Sequence, residues 1–551
     1  MPVVPPAVPS AAVAPAVVGG PPDRDPGAVR RRLGSDTTST RESDARRERW
    51  RSAYAARLAE LLHTPASSPA DSARRLSELV RSNLLSFEDL RSDPSKFFEA
   101  HRLLVNHGFE QGPGFSIRFT VQFNLFAGTV LELGNPAQLR ELREMQRLGV
   151  LGCFALTERL AGVNSGLVVE TKCEWLPETR AFRLWTPREG ARKNWISQGL
   201  TASKAVVMAD LIVAGGKSVG PHAFLVDLRD PATGAVRAGI SLEDMGEKTT
   251  GNDLDNAAIA FDDVALPRSA LLDRHCVLDP DGRYAPKTPD APSNMELIGQ
   301  RLFTGRVAVA QGAHEFRRRL FRRTRAATDA KPCWAPRDAA SAGEGAPRPL
   351  MLSAVPQLRA LYAEADAREA RVGAFLRAVE AKLCGVLEGG ARPDAALVEA
   401  VAAAKIVAVD EAIEFCHRLR QEVGSYALQA GTGFEHTDFL QCCKFAEGDS
   451  RVLMMKVARD RVRWFAGLEA RGRQAPAWLA GWEAEALAKL ARRIEREKRA
   501  GRGGAAAWEA AWEEAYALAA VAVDAIVDRW VGGVEKFRGT NTSRSVPASR
   551  L

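Results

Sequence analysis

The run Phe445-Ala446-Glu447-Gly448-Asp449-Ser450 sets one carboxylate in a short loop just ahead of a helical stretch. Asp449 or Ser450 is a ready N-cap for a helix through Val452, Leu453 and Val457, since a short polar side chain takes the free amide hydrogens of a first turn. Glu447 then stands outside that helix. Facing a closed apolar pocket it would be desolvated, its proton affinity would rise, and it could act as a general base. Facing water it would do nothing in particular. A second signal is GCFALTERLAGVNSG, Gly152 to Gly166. A strand-like run ending at Thr157-Glu158 and a Gly-bearing loop can offer backbone N–H groups and a hydroxyl to a planar polar ligand. A third is Asn194-Trp195-Ile196-Ser197-Gln198-Gly199. Residues two apart on a strand share a side, so Trp195 could stack on a ring while Ser197 bonds its edge. Taken singly, the ordinary readings are a solvated loop carboxylate, a strand end with its turn, and a core tryptophan.

Other chemistry is poorly supported. Of eight cysteines only Cys442 and Cys443 are close neighbours and no C-x-x-C occurs, so no metal site is expected and the thiols read as free, in a reducing compartment. Lys and Arg number 76 against 68 Asp and Glu, a net charge of +8. That excess could mark a nucleic-acid partner, and the run Phe316 to Arg325 is its densest patch. No nucleic-acid module is recognisable, however, and a solvated helix face is the reading preferred for the run. No apolar stretch approaches the roughly 18 residues a membrane span needs, so no span is expected. The final Ser549-Arg550-Leu551 matches the Ser-Lys-Leu type of peroxisomal address, with Arg keeping the cation, and predicts a peroxisomal import receptor as partner.

These residues need elements to position them. At 551 residues and 46% hydrophobic content, a large core and several domains are expected. Residues 1–44 are rich in Pro, Ala and Arg and read as a disordered tail. Residues 45–150 carry a helical pattern, with Ser72 as N-cap of a helix through Leu76, Leu79 and Val80, and a turn at Gly134-Asn135-Pro136. Residues 151–270 turn to short β-type runs; Ala205 to Ala214 and His222 to Leu228 flank Gly215-Gly216-Lys217 as a hairpin. Residues 293–468 return to helix, with Leu302, Val309, Ala313, Phe316 and Leu320 on one face. Residues 469–538 form a helical extension, and 539–551 a flexible tail. The fold class expected is α+β and multidomain: an N-terminal helical domain, a central β-barrel-like domain, and a C-terminal helical bundle with a helical extension.

The ordered blocks Asn124 to Asn135, Gly152 to Glu158, His222 to Asp230, Gly251 to Arg268, Leu302 to Ala313 and Ala446 to Met454 resemble the acyl-CoA dehydrogenase and oxidase superfamily. They look most like its peroxisomal acyl-CoA oxidase branch. The resemblance covers about Leu103 to Arg463 and implies an FAD enzyme. It implies α,β-dehydrogenation of fatty acyl-CoA with electrons passed to dioxygen, the first step of peroxisomal β-oxidation. An acyl-CoA dehydrogenase using an electron-transferring flavoprotein, or a catalytically silent binding subunit, are the alternatives. By the same resemblance Glu447 is the base. Flavin contacts fall on Thr157, Phe154, Leu156, Trp195, Ser197 and Gly199. Gln421 and Gly424 fall in the segment that reaches the FAD of the neighbouring subunit, which implies a homodimer. Trp195-Ile196-Ser197 is nearer the dehydrogenase form than the Trp-Pro-Gly-Gly of typical oxidases, and Val163 stands where a substrate-contacting Ser is common.

Overall fold

The computed structural model describes residues 37–111, 113–162, 168–288, 294–333, 350–471 and 481–532. The targeting tripeptide, Val163 and most of the expected tails lie outside those residues. Helix α1 (Thr37–Leu61) begins inside the stretch read as tail. Helix α2 (Pro69–Arg81) is capped by Ser68, whose hydroxyl accepts from the Asp71 amide. Ser72 is therefore not the cap. Pro69, preset for a first helical position, puts the start one turn earlier, and the buried Ser72 hydroxyl instead donates to Asp253 at 3.1 Å. Next come α3 (Asp89–Ser92), α4 (Pro94–Gly108) and α5 (Gly114–Thr120). A π-helical segment, Val121–Ala127, continues into α6 (Gly128–Leu133). Helix α7 (Pro136–Leu148) then starts at the expected turn, where Asn135 and Gln138 form a reciprocal capping box.

The central region holds β1 (Gly152–Ala155), β2 (Lys172–Leu176), β3 (Ala181–Trp185), β4 (Lys193–Ser197), β5 (Lys204–Val213), β6 (Lys217–Asp227), β7 (Ile240–Asp244), β8 (Asn256–Phe261) and β9 (Val264–Pro267). The predicted hairpin is the antiparallel β5–β6 pair. The first half of β5 pairs with β1 and its second half with β2, both in parallel. β3 and β9 extend that sheet, while β4, β8 and β7 make a second, three-stranded one. The two sheets share one core, in which Cys153, Phe182, Leu211 and Phe224 meet Ile196, Ala257 and Ile259. The strands thus curl into a half-barrel and do not close the barrel expected. Where β1, β4 and β5 approach, the Leu156 and Met208 carbonyls end on the ammonium of Lys193.

The C-terminal bundle is α8 (Asn294–Ala330), α9 (Pro356–Glu388), α10 (Ala395–Val423), α11 (Phe439–Phe445) and α12 (Ser450–Glu469). Its core is not its own alone, because Val105 and Phe109 from the N-terminal helices pack with Phe316, Leu320, Val409 and Phe439. The extension is α13 (Gly481–Arg499), α14 (Gly504–Ala510) and α15 (Trp512–Val531). Leu518, Ala522 and Ile526 are fully buried on one face of α15. Arg371 of α9 meets Asp528 at 2.7 Å, and Arg461 of α12 meets Glu483 at 2.9 Å, so the extension is fastened to the bundle that carries Glu447. The arginine run is not simply a solvated face. Arg317 is buried on the Phe415 ring and donates to the Ala365 carbonyl, while Arg318 and Arg325 pair with Glu369 and Asp366. None of the described helices is long and apolar enough to cross a membrane.

Candidate active site

Glu447 lies between α11 and α12, and Asp449 caps α12 by accepting from the Arg451 amide. Glu447 itself has φ +57, a left-handed conformation that costs a non-glycine residue of order 1 kcal/mol or more and persists only where surroundings impose it. Three neighbours define its place. Asn124, fully buried on the π-helical segment, donates from Nδ2 to Glu447 Oε1 at 3.4 Å. The Arg306 Nε donates to the Glu447 carbonyl at 3.0 Å. Gly305 supplies the space, since a Cβ there would lie 2.1 Å from the Glu447 carboxyl carbon and 2.3 Å from Oε1. Burial lowers Arg306 to about 10, with Glu447 holding it up. The charges are therefore coupled across the loop: the guanidinium that fixes the backbone also favours the ionised carboxylate. The Asn124 Oδ1 is buried with no hydrogen-bond partner among the described residues.

The second wall is strand β4. Its pairing with β8 shifts register between Lys193 and Ile196, a bulge that adds a residue to one strand and re-aims the side chains. Lys193, Ile196 and Gln198 point inward and are buried, while Trp195 is 56% exposed and Ser197 half-buried. Trp195 has φ +57 and Gln198 φ +68, so two of the six non-glycine residues with positive φ among those described flank this turn of strand. The Trp195 N–H donates to Met245 Sδ at 3.2 Å, and Ser197 Oγ accepts from Asn256 at 3.1 Å. The Thr157 carbonyl accepts from the Asn194 amide at 2.8 Å, which places the exposed Thr157 beside the residue that precedes Trp195. Phe154 and Leu156, on β1 and just after it, are half-buried. Gly199 has a packing reason to be glycine, as a Cβ would lie 2.7 Å from that of Ala257.

One π-helical turn joins the walls. Asn124 reaches Glu447, while Gln122 of the same turn donates to the Val150 carbonyl and accepts from the Gly152 amide and from Gln198. Phe126 lies against Gly152 so closely that a Cβ there would be 2.3 Å from its ring. Beneath, the fully buried Arg118 donates to Gln198, Thr201 and Asp255, pinning the end of β4 to α5. Gln421 and Gly424 are not brought to either wall by the described contacts; they stand exposed at the C-terminal end of α10. The residues that sequence reasoning passed over are Asn124, Arg306 and Gly305, although Asn124, Gly305 and Arg306 all sit inside the quoted blocks. Lys193 was missed too. It makes a fully buried ion pair with Glu158 at 2.8 Å, and Glu158 also accepts from Thr171 and from the Glu170 amide. Among the described residues no group of His, Cys, Asp and Glu could hold a metal ion.

No protein-family model matches the chain. It is 30% identical to human peroxisomal acyl-coenzyme A oxidase 3 over 236 residues, 43% of this chain and 33% of that protein. It is 29% identical to bovine peroxisomal acyl-coenzyme A oxidase 1 over 352 residues, 62% of this chain and 50% of that protein. Its relatives are acyl-CoA oxidases. The chain spans half or less of the length of these two. The fold is that of an acyl-CoA oxidase: acyl-CoA oxidase-2 of Caenorhabditis elegans, solved with FAD, ascaroside-CoA and ATP, superposes with a TM-score of 0.72 at 20% identity, over 89% of this chain and 76% of that one. Acyl-CoA oxidase 1 of Yarrowia lipolytica gives 0.67 at 19% identity, over 86% and 73%.

Proposed function

We propose that this chain is an FAD-dependent acyl-CoA oxidase, converting a fatty acyl-CoA to the trans-2-enoyl-CoA and passing the electrons to dioxygen as hydrogen peroxide. The observation that carries the reading is the pairing of walls: a carboxylate lodged over Gly305 and met by Asn124, tied through one π-helical turn to a strand presenting an exposed Trp195 and Ser197. The relatives, named as acyl-coenzyme A oxidases, supply the reaction class.

The residues fit a flavin. Trp195 holds a large ring in the open on a strand whose other face is core, with the Thr157 hydroxyl exposed on the adjoining segment. Such a surface suits stacking on a planar ring and bonding to its polar edge. A flavin held there would supply the acceptor for the substrate's β-hydrogen and the route of its electrons to dioxygen. Glu447 takes the α-proton of the thioester on its carboxylate. Trp195, Thr157 and Ser197 orient the ring, with Phe154 and Leu156 lending backbone and Gly199 allowing the turn. Gln421 and Gly424 serve a second subunit's cofactor, which makes the working form a homodimer. The peroxisome is the compartment, in keeping with the relatives' names, with residues 549–551 as the address read by its import receptor.

The deciding experiment is an absorption spectrum of the purified protein followed by aerobic turnover with acyl-CoA. Flavin bands, bleaching by acyl-CoA and stoichiometric peroxide are expected. Bleaching without peroxide would give the reaction to the dehydrogenase class, and a protein that holds no flavin would overturn the reading altogether.

A further inference from the structure

Helix α10 carries one charge inside a ten-residue apolar run, Lys405 in Ala400 to Val409. The side chain is fully buried, and among the described residues it makes no ion pair with a carboxylate. Its ammonium instead donates to two backbone carbonyls, Lys444 at 3.0 Å and Gly448. Those two residues bracket Glu447. Lys444 O is the last turn of α11, and Gly448, at φ +92, is the residue that lets the chain leave the left-handed Glu447 and enter the cap of α12. Arg306 takes the carbonyl between them. Two buried cations from two different helices therefore hold three carbonyls of one five-residue loop. A buried cation is costly, and carbonyl dipoles satisfy it less completely than a carboxylate would. A loop fold alone could be closed by neutral donors.

We infer that Lys405 is a positioning residue for the base: its ammonium, with the Arg306 guanidinium, clamps the 444–448 loop so that the Glu447 carboxylate is held over Gly305. The inference rests on the reading of Glu447 as base. The groups that face Lys405 are Arg306 of α8, Cys443 of α11, and Glu447 and Asp449 of the loop. Burial first, then Arg306, brings the amine down to about 8. The clamp thus weakens just above neutrality. Losing the proton turns charge-assisted bonds into neutral ones, roughly half as strong, and removes a positive charge that favours ionised Glu447.

The test is rapid-mixing reduction of the flavin-loaded protein by an acyl-CoA across pH, in the wild type, Lys405→Gln, Lys405→Met and Glu447→Gln. Hydrogen exchange of the 444–448 loop in the flavin-free proteins gives a second reading. The wild type is expected to lose rate on the alkaline side around pH 8. Lys405→Gln, whose amide donates without titrating, keeps most of the rate and lacks that limb. Lys405→Met cuts the rate about 10- to 100-fold at little change in KM or flavin content, the cost of a base displaced by about an ångström, and its loop exchanges faster. A Lys405→Met protein with wild-type rate, pH profile and loop exchange overturns the inference. Should that variant not fold, a Lys405→Gln protein retaining the full alkaline limb overturns it equally. Full turnover by Glu447→Gln would instead sink the base assignment, an outcome distinct from either.

Discussion

The two walls of the site each depend on a buried lysine, and they use it in opposite ways. On the β wall, Lys193 is paired with Glu158, and every partner of that carboxylate is an N–H or O–H donor. Lys193 also reaches the Leu156 carbonyl, so the pair brackets Thr157 and sits two residues from Trp195. On the helical wall, the hydrogen bonds that the Lys405 ammonium makes among the described residues go to backbone carbonyls. Burial brings both amines down to about 8. The difference teaches where each wall is brittle. A closed ion pair fixes a rigid surface, as a stacked ring requires. Cations on carbonyls fix a loop while leaving its carboxylate available to exchange a proton.

The largest effect expected from breaking that contrast is on the β wall. Glu158→Ala leaves Lys193 buried with no ion partner, and should cost about 3–5 kcal/mol of stability, as loss of one half of a buried pair does. Denaturant titration measures it, and the Trp195 face, proposed to take the flavin, should fail with it. A loss below about 1 kcal/mol would mean that the pair is not what holds Thr157 and Trp195 in place, and the contrast between the walls would fall.

Gly305→Ala probes the helical wall without touching a charge. The added methyl would lie 2.1 Å from the Glu447 carboxyl carbon, so the carboxylate must move. Turnover should fall about 10²-fold, the scale of an ångström-sized displacement of a catalytic group. Stability should hold or rise by up to about 1 kcal/mol, because alanine is the better helix former. Steady-state kinetics beside a thermal melt separates the two. Unchanged turnover would show that the carboxylate works from elsewhere.

Much of this arrangement was legible along the chain, and the rest was hidden for one recurring reason. The β5–β6 hairpin, the Asn135 turn and the Asp449 cap are local: the residues that decide them lie within a few positions. Trp195 is open and Ser197 half-buried, as their two-residue spacing allows, but the bulge and the positive φ at Trp195 are not visible in that spacing. The cap expected at Ser72 falls instead on Ser68, one helical turn earlier, because Pro69 is preset for the first helical position. What the sequence hid are contacts between distant segments. Asn124 meets Glu447 across 323 positions, and Arg306 meets it across 141. The half-barrel is hidden in the same way, because it depends on which distant strands pair and on the core that the two sheets share. The sequence does carry a signal for Lys405: a single charge in an otherwise apolar ten-residue helical run must find a partner or reach solvent.

The smallest effect is the one that best separates the two lysines' local and global roles. Both titrate at about 8 when folded, and an unfolded lysine at about 10.5. Between those values the unfolded chain binds the protons that the folded chain has released, so stability rises with pH through that window. Below pH 8 both states are protonated and the cost of burying each charge is carried in full. One unit above, each lysine should have returned about 1.4 kcal/mol, visible as a higher denaturant midpoint at pH 9 than at pH 7.5 and reduced by one share in Lys405→Met. Activity through the same window is expected to fall, since the Lys405 clamp is loosening there. Opposite signs of stability and turnover over one pH interval cannot come from unfolding. A stability curve that falls alongside the rate would place the alkaline loss in the fold as a whole, and remove the distinction between a lysine that holds a wall and one that holds a base.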